Sequence, residues 1–152
     1  MAVNPIPAGY HSVTPCLIIA DPRQQIQFMR EAFGATIREI AEGPGGKVMH
    51  ATIWIGDTIV MLGPASANHP PLPCMLYVYV PDVDGVYASA LAAGGSSLQA
   101  PSDQFYGDRV SGVSDPAGNQ WWIATHIEDV TQEEIARRFS AMQGKPGAEH
   151  CD

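Results

Sequence analysis

Residues 13–22 read Val-Thr-Pro-Cys-Leu-Ile-Ile-Ala-Asp-Pro, an apolar run that ends in aspartate and proline. Residues 76–82 read Leu-Tyr-Val-Tyr-Val-Pro-Asp, so Asp21 and Asp82 end equivalent runs 61 residues apart. A run rich in β-branched and aromatic residues predicts a strand, and the aspartate after it is a preferred helix N-cap. Repetition of this pattern at a fixed spacing predicts a duplicated structural unit.

Each apolar run leads into a short amphipathic helix. In the first copy, Ile26, Met29 and Phe33 recur at helical spacing, and Gly34 follows as a helix terminator. In the second copy, the helix ends at Gly94. Its apolar face consists of Val83, Val86, Tyr87, Ala90 and Leu91. Three strand-like runs follow each helix, at 35–42, 47–55 and 58–63 and then at 97–101, 109–114 and 120–126. Each copy is therefore predicted to be a βαβββ module.

The chain of 152 residues has the length of one domain made from two such modules. We place the first module at 11–63 and the second at 74–126. Residues 64–73 contain four prolines, which cannot supply regular strand hydrogen bonds, and are predicted to be the linker. Thr-Gln-Glu-Glu at 131–134 is a capping box that opens a C-terminal helix at about 131–143. The predicted fold class is α+β.

The composition is that of an acidic protein, with 8 Lys and Arg against 16 Asp and Glu and a formal net charge of -8. Nucleic acids and anionic membranes require clustered cations, so neither is expected as a partner. Cys16, Cys74 and Cys151 lie far apart in a pattern typical of a reduced compartment. The N-terminus has neither a cationic start nor a long apolar run. We therefore expect a soluble, cytoplasmic protein.

Several motifs in the second copy point to a family. They are Tyr-Gly-Asp-Arg at 106–109, Asp-Pro-x-Gly at 115–118, Ile-Ala-Thr-His at 123–126 and Glu-Asp-Val-Thr at 128–131. Together with the two βαβββ copies, they resemble the vicinal oxygen chelate superfamily, which includes glyoxalase I, extradiol dioxygenases and the fosfomycin- and bleomycin-resistance proteins. The chain looks most similar to its PhnB-like glyoxalase/bleomycin resistance branch. The resemblance implies a cupped mixed sheet, commonly built from the modules of two chains in a homodimer.

The resemblance also implies where a metal would be held, on the first and last strands of each module. In this chain those places carry Thr14, Met61, Met75 and Trp122. A hydroxyl, two thioethers and an indole do not replace the imidazoles and carboxylates that divalent metals of this superfamily require. If the strand register is shifted by one residue at each of these positions, Cys74 is the one additional side chain that could bind a metal. We therefore expect no divalent metal and no other cofactor.

Strand alternation predicts an aromatic and polar lining for the cup. The candidate ligand-binding residues are Thr14, Trp54, Met61, Met75, Tyr77, Tyr79 and Trp122, with Tyr106 and Arg109 at the rim. Such a surface suits a flat, partly apolar small molecule. The alternative is that the aromatic residues fill the interior or a dimer interface, and that Arg109 pairs with Asp108 or Asp115.

His126 and His50 are the histidines inside predicted strands, and imidazole is the usual acid or base near neutral pH. They are the candidate catalytic residues, with His126 favoured because it ends the row that faces the cup. The alternative to a catalytic role is that both histidines are structural or solvent-exposed. No nucleophile motif or metal-ligand spacing accompanies them.

Three functions remain open on this basis. The first is metal-independent binding of a flat small molecule, which includes the sequestration of a drug and antibiotic resistance. The second is a lyase or isomerase of the glyoxalase type that uses His and Tyr acid-base chemistry or an atypical metal site. The third is a dimer whose cup is filled and inert.

Overall fold

The computed structural model describes residues 3–144 of the chain, and Cys151 lies outside this range. The elements, in chain order, are β1 (Cys16–Ile19), α1 (Pro22–Phe33), β2 (Thr36–Glu42), a 3-10 turn (Pro44–Gly46), β3 (Val48–Ile55), β4 (Thr58–Pro64), β5 (Met75–Tyr79), α2 (Val83–Ala92), β6 (Ser96–Asp103), β7 (Asp108–Ser114), β8 (Gln120–His126) and α3 (Gln132–Gln143). The order βαβββ occurs twice, and the predicted α+β class is confirmed.

The two modules form two four-stranded sheets of identical topology. The first sheet has the order β1-β4-β3-β2 and the second has the order β5-β8-β7-β6. In each sheet the first and last strands of the module are parallel neighbours, which places Cys16 opposite Met61 and Tyr77 opposite Trp122. Within residues 3–144, no strand of one sheet pairs with a strand of the other.

Local sequence signals set the helix ends as predicted. The Asp21 carboxylate accepts a hydrogen bond from the Gln24 N–H at 3.1 Å, and Asp82 accepts one from the Gly85 N–H at the same distance. These contacts satisfy amide groups that have no partner inside the first turn of a helix. Gly34 ends α1 with a φ of 64°, in the left-handed region that glycine adopts without strain.

The covered faces of the two sheets meet in one hydrophobic core. The helices α1 and α2 pack against each other between the sheets, and the Phe33 ring lies 4.7 Å from the Trp121 ring, centroid to centroid. The core includes apolar residues from the covered faces of both sheets, among them Leu17, Ile19, Ile53, Leu62, Val113 and Ile123. Because both sheets turn these faces toward the helices, their other faces point away from the shared core.

A buried carboxylate links the two modules at the centre of this core. Asp115 accepts hydrogen bonds from Gln25 Nε2 on α1 at 2.7 Å and from Trp121 Nε1 at 2.8 Å. It also accepts from Asn119 Nδ2 at 2.9 Å and from the N–H groups of Ala117 and Asn119. The turn at 115–119 is therefore held to the first module as well as to its own strands.

The first strand is shorter than predicted, since it begins at Cys16 and leaves Thr14 just before it. The Thr14 hydroxyl donates to the carbonyl oxygen of His11 at 3.0 Å instead of facing a cup. Pairing with β4 starts at Pro15, whose carbonyl accepts from the Met61 N–H at 2.9 Å. Proline itself has no N–H to donate, which ends the ladder here.

A second difference concerns the faces of β3. Alternation back from Ile53 and Ala51 would place Met49 on the covered face, but its side chain is half exposed and the neighbouring Val48 is buried. The pairing of β2 with β3 is irregular between Ala41 and Glu42, and a bulge there reverses the alternation at this end of the strand.

Among the described residues, none of the helices combines the length and the apolar character needed to cross a membrane.

Candidate binding site

We call the side of each sheet that faces away from the helices its outer face. Strand pairing assigns the members of each face. The outer face of the first sheet carries Cys16, Ile18, Thr52, Trp54, Ile59 and Met61. The outer face of the second sheet carries Met75, Tyr77, Tyr79, Asp108, Gly112, Trp122, Ala124 and His126.

The outer face of the second sheet exposes a row of large side chains along the edge strand β5. The exposed fractions of Met75, Tyr77 and Tyr79 are 62%, 44% and 64%. The rings of Tyr77 and Tyr79 lie 5.4 Å apart, centroid to centroid, at a tilt of 53°. Contiguous exposed apolar surface of this kind marks an interaction or ligand site. These three predicted ligand-binding residues lie together.

A cavity of about 450 Å³ adjoins this row at the boundary between the modules. Its walls are mainly apolar and come from both modules, with contributions from Phe33, Ile55, Thr58, Val60, Tyr77, Val78, Tyr79, Val80 and Trp121. Its volume lies in the range of sites that hold small organic molecules, which is about 300–1,000 Å³.

A buried carboxylate organises the polar end of the same face. Asp108 is 4% exposed and accepts a hydrogen bond from the Tyr79 hydroxyl at 2.9 Å. Its other oxygen lies 2.7 Å from His126 Nδ1, and His126 Nε2 lies 2.9 Å from Asp129. A buried carboxylate needs such partners, because burial without them opposes its charged form. Tyr79, Asp108, His126 and Asp129 therefore form one continuous network.

The electrostatics of the network follow from these contacts. Hydrogen bonds to Asp129 and Asp108 raise the pKa of His126 above its ordinary value of 6.5. The hydrogen bond to Asp108 raises the pKa of the Tyr79 phenol, because the carboxylate stabilises the protonated form. The imidazole has both nitrogens paired with carboxylates, and Tyr79 has its proton directed to Asp108. Neither ring nitrogen of His126 is therefore without a hydrogen-bond partner.

Tyr106 lies near this face on the turn between β6 and β7. Burial raises the pKa of the Tyr77 phenol, and a hydrogen bond donated by its hydroxyl to the neighbouring Tyr106 adds to the effect. The Tyr106 ring also meets Phe105 edge to face at 5.3 Å, and Phe105 lies 5.6 Å from Phe139 on α3. The C-terminal helix thus supports the turn that carries Tyr106.

Trp122 lies on the same face, next to a glycine of the neighbouring strand. A Cβ atom on Gly112 would lie 3.0 Å from the Trp122 ring, so the indole approaches the β7 backbone more closely than a side chain there would allow. The Trp122 Nε1 donates to Gln120 Oε1 at 3.3 Å. The indole is partly exposed and adds to the aromatic surface.

The predicted residues of the first sheet lie on its separate outer face. Met61, Trp54 and His50 are each partly exposed there, and His50 stands on a different sheet from His126. Within one chain, the two histidines therefore lie apart, on different sheets. The Trp54 indole is in close contact with Gly9 of the N-terminal segment.

Arg109 lies on the covered side of the second sheet rather than at the rim. Its Nε and Nη2 donate to the two oxygens of Asp84 on α2 at 2.8 and 2.9 Å, and Nη1 donates to Asp103 at 2.9 Å. These bonds raise the pKa of the guanidinium. The expected partners Asp108 and Asp115 are replaced by Asp84 and Asp103, because the side chain points toward α2.

The residues at the metal positions of the vicinal oxygen chelate fold do not fit a metal. Met61, Met75 and Trp122 provide no oxygen or imidazole donor, and the Thr14 hydroxyl is committed to a backbone carbonyl. Among residues 3–144, no three His, Cys, Asp or Glu side chains are placed to hold one ion. The Asp108, His126 and Asp129 groups bond to one another instead of converging on a shared point.

Residues 10–123 match the family described as the glyoxalase/bleomycin resistance protein/dioxygenase superfamily. The chain belongs to this superfamily. It is 33% identical to the Mycobacterium bovis protein Mb0911c, over 93% of this chain and 98% of that protein. It is equally similar to Rv0887c of Mycobacterium tuberculosis, over 93% of this chain and 88% of that protein.

Two solved structures share the fold. TioX from Micromonospora sp. ML1 is similar with a TM-score of 0.64 and 24% identity, over 76% of this chain and 100% of that one. A glyoxalase/bleomycin resistance protein/dioxygenase from Nocardioides has a TM-score of 0.58 and 20% identity, over 80% and 87% of the two chains. At these identities the likeness concerns the fold alone.

Sequence reasoning missed two members of the network on the second sheet. Asp108 and Asp129 were visible as parts of the Tyr-Gly-Asp-Arg and Glu-Asp-Val-Thr motifs, but no spacing rule connected them with His126. Asp108 stands opposite His126 in the pairing of β7 with β8, which supplies the missing relation. Cross-strand neighbours of this kind become predictable once the strand register is known.

Proposed function

We propose that the protein binds a flat, partly apolar small molecule on the outer face of its second sheet, without a metal or another cofactor. The observation that carries this proposal is the exposed pair Tyr77 and Tyr79, whose rings lie 5.4 Å apart on the edge strand β5. Tyrosine combines a large apolar ring with a polar tip, so it stacks on a flat ligand and also orients it. Trp122 and Tyr106 extend the same surface.

The hydrogen bonding of His126 favours binding over acid-base catalysis. A general base needs a free lone pair within reach of the substrate, and a general acid needs a proton that it can release. Both nitrogens of His126 are bonded to carboxylates, which stabilise the charged imidazolium. The network then serves to hold Tyr79 and the end of β8 in place.

A lyase or isomerase of the glyoxalase type is the second candidate, and one observation favours it. A buried Asp108 bonded to His126 Nδ1 is the arrangement that orients an imidazole for proton transfer through Nε2. Asp129, which blocks Nε2, is fully exposed and free to turn away. Turnover that persists in His126→Gln would eliminate this role of His126.

We further propose that two copies of the chain complete the site as a homodimer. The outer faces point away from the core of their own chain, and among residues 3–144 the edge strand β5 has a strand partner on one side alone. Met75 and the two tyrosines expose apolar surface that a second copy would bury. The outer face of one chain's second sheet would meet the outer face of the other chain's first sheet.

A binder that performs no chemistry acts by sequestration, so drug resistance is the cellular role that we propose for it. The motifs at 106–109 and 128–131 support placement in the PhnB-like branch, and we expect the cytoplasm as its location. Protection would rise with the amount of protein, because each site removes one molecule of drug.

Fluorescence quenching of Trp122 tests the binding proposal. We expect at least one of riboflavin, doxorubicin and ethidium to quench it saturably, and Tyr77→Ala to weaken that binding by about tenfold, since an aromatic contact contributes roughly 0.5–1.5 kcal/mol beyond its buried area. Tyr87→Ala is the matched control, because Tyr87 bonds to Ser97 on the other side of the second sheet. Absence of saturable quenching with all three compounds would contradict the proposal.

A further inference from the structure

The N-terminal segment lies across part of the outer face of the first sheet. We call residues 7–13 the strap. Gly9 has a φ of 84°, and a Cβ atom on it would lie 3.0 Å from the Trp54 indole and 3.4 Å from Ile59. Ile59 is only 1% exposed although it lies on the outer face. The strap backbone thus covers the apolar centre of this face.

An arginine without an acceptor joins the strap to the sheet. The Arg38 guanidinium carbon lies 5.1 Å from the centroid of the Tyr10 ring and 6.0 Å from that of Trp54. In the part of the chain that the structure describes, the five N–H donors of Arg38 meet no acceptor and no carboxylate. A cation stacked on aromatic rings, with its donors unused, can bind an oxygen acceptor on a further ring.

The strap is held by contact and not by hydrogen bonds to the sheet. Its bonds are local, from the Tyr10 N–H to the Pro7 carbonyl at 3.1 Å and from the Thr14 hydroxyl to the His11 carbonyl at 3.0 Å. Between residues 3 and 144, no hydrogen bond joins positions 3–13 to either sheet. Segments with few anchoring contacts open at a low free-energy cost.

A second polar group on this face lacks a partner. Thr52 stands on the same face as Trp54 and is 1% exposed, and its Oγ1 has no hydrogen-bond partner among the described residues. A buried hydroxyl without a partner is unfavourable, typically by about 1–3 kcal/mol. The outer face that carries Trp54 thus holds a buried hydroxyl that is available to a polar ligand atom.

We infer that the strap masks a ligand subsite formed by Trp54 and Arg38, which accepts a flat ring that carries an oxygen acceptor such as a carboxylate. The ring stacks on the indole and the acceptor pairs with the guanidinium, and the ligand takes the place of Gly9 and Tyr10. Strap and ligand compete for one surface. This inference rests on the proposed function for the ligand, whereas the displacement of the strap stands independently of it.

The strap is tested first, without a ligand. Gly9→Val adds atoms against Trp54, whereas Gly45→Val is the matched control, since Gly45 has a φ of 71° and open space around its Cβ position. In a Trp122→Phe background, the remaining tryptophans are Trp54 and Trp121. Because Trp121 is fully buried, acrylamide quenching of the fluorescence reports the exposure of Trp54. We expect the quenching constant to rise at least about threefold in Gly9→Val, and equally on deletion of residues 1–11. Unchanged quenching in both variants would overturn the inference that the strap covers Trp54.

The ligand is tested with three probes on one ring, namely 2-naphthoate, 2-naphthylmethanol and 2-naphthylmethylammonium. If the strap is open in about one molecule in ten, removing it strengthens the apparent affinity about tenfold. We expect calorimetry to show this increase in affinity for 2-naphthoate in Gly9→Val. The ammonium probe should bind only weakly. The increase for 2-naphthoate should disappear when Arg38→Gln is added.

The outcomes separate the two proposals. Equal gains for all three probes would refute the acceptor specificity. Higher quenching without any gain in affinity would refute the competition, while ligand binding at Tyr77 would still stand. Binding of 2-naphthoate in Gly9→Val that is insensitive to Tyr77→Ala would support the subsite and count against the second sheet as the binding face.

Discussion

At the residue scale, Asp115 joins the two modules through a single side chain. It accepts hydrogen bonds from Gln25 of α1 and from Trp121 and Asn119 of its own module. Each donor would be buried without a partner if the carboxylate were absent. An unsatisfied buried donor costs about 1–3 kcal/mol, so the three side chains together make this position sensitive.

We predict that Asp115→Ala lowers the free energy of unfolding by about 3 kcal/mol or more. Asp57→Ala is the matched control, because Asp57 lies in the corresponding turn of the first module, is exposed and bonds only to Thr58. The control should change stability by less than about 0.5 kcal/mol. Urea denaturation measures both, and equal losses would contradict the role of Asp115.

His126 makes stability depend on pH. Its folded pKa is raised above 6.5 by Asp129 and Asp108, so protonation favours the folded state. The stabilisation is fully present below pH 6.5 and is lost as pH rises through the folded pKa of His126. We expect urea midpoints of wild type and His126→Gln to differ most near the acidic end of this window and to converge in alkaline buffer. A difference that grows with pH would contradict this assignment.

At the element scale, the turn between β6 and β7 is docked on the segment that follows β8. The Gly107 carbonyl accepts from the N–H groups of Ile127 and Glu128 at 2.9 and 3.0 Å. Gly107 has a φ of 101°, and a Cβ atom on it would lie 2.1 Å from the Glu128 carbonyl oxygen. Arg138 of α3 donates to the Phe105 carbonyl and to Glu128, which ties the C-terminal helix to the same place.

We predict that Gly107→Ala is more destabilising than Gly45→Ala by at least about 2 kcal/mol, because both strain the backbone but only the first forces two segments apart. Hydrogen exchange should also accelerate at the Ile127 and Glu128 amides, which lose their acceptor. Equal destabilisation by the two substitutions would show that the turn tolerates separation from Glu128.

Element bounds followed the local signals closely, except where a long-range contact intervened. Both helix N-caps and β8 lie where their residues predict, because caps and alternation act over a few residues. The first strand is shorter because its length depends on pairing with β4 from Pro15 onward. The reversed faces at Val48 depend on a bulge against β2, which no local pattern in β3 reports.

At the scale of the whole molecule, the two sheets share one core but keep separate outer faces. The proposed ligand site lies on one of these faces, and the strap covers part of the other. In the homodimer that we propose, the outer faces of a second copy would be opposed to those of the first. Symmetric association of identical chains is the common outcome for complementary surfaces.

We predict a homodimer with twice the chain mass of 16.3 kDa by light scattering at micromolar concentration. Met75→Asp places a charge on the exposed edge strand and should shift the mass toward the monomer. Leu98→Asp is the matched control, since Leu98 is similarly exposed on β6 at the far edge of the sheet. A monomeric wild type would contradict the dimer.

Local sequence signals were sufficient for the duplicated βαβββ order, the helix caps and the aromatic character of β5, because each depends on neighbours within one element. Packing over long separations was needed to bring Asp108 to His126, to turn Arg109 toward Asp84 and to lay Gly9 on Trp54. Contacts of this kind join residues from different elements, and strand register and burial select them.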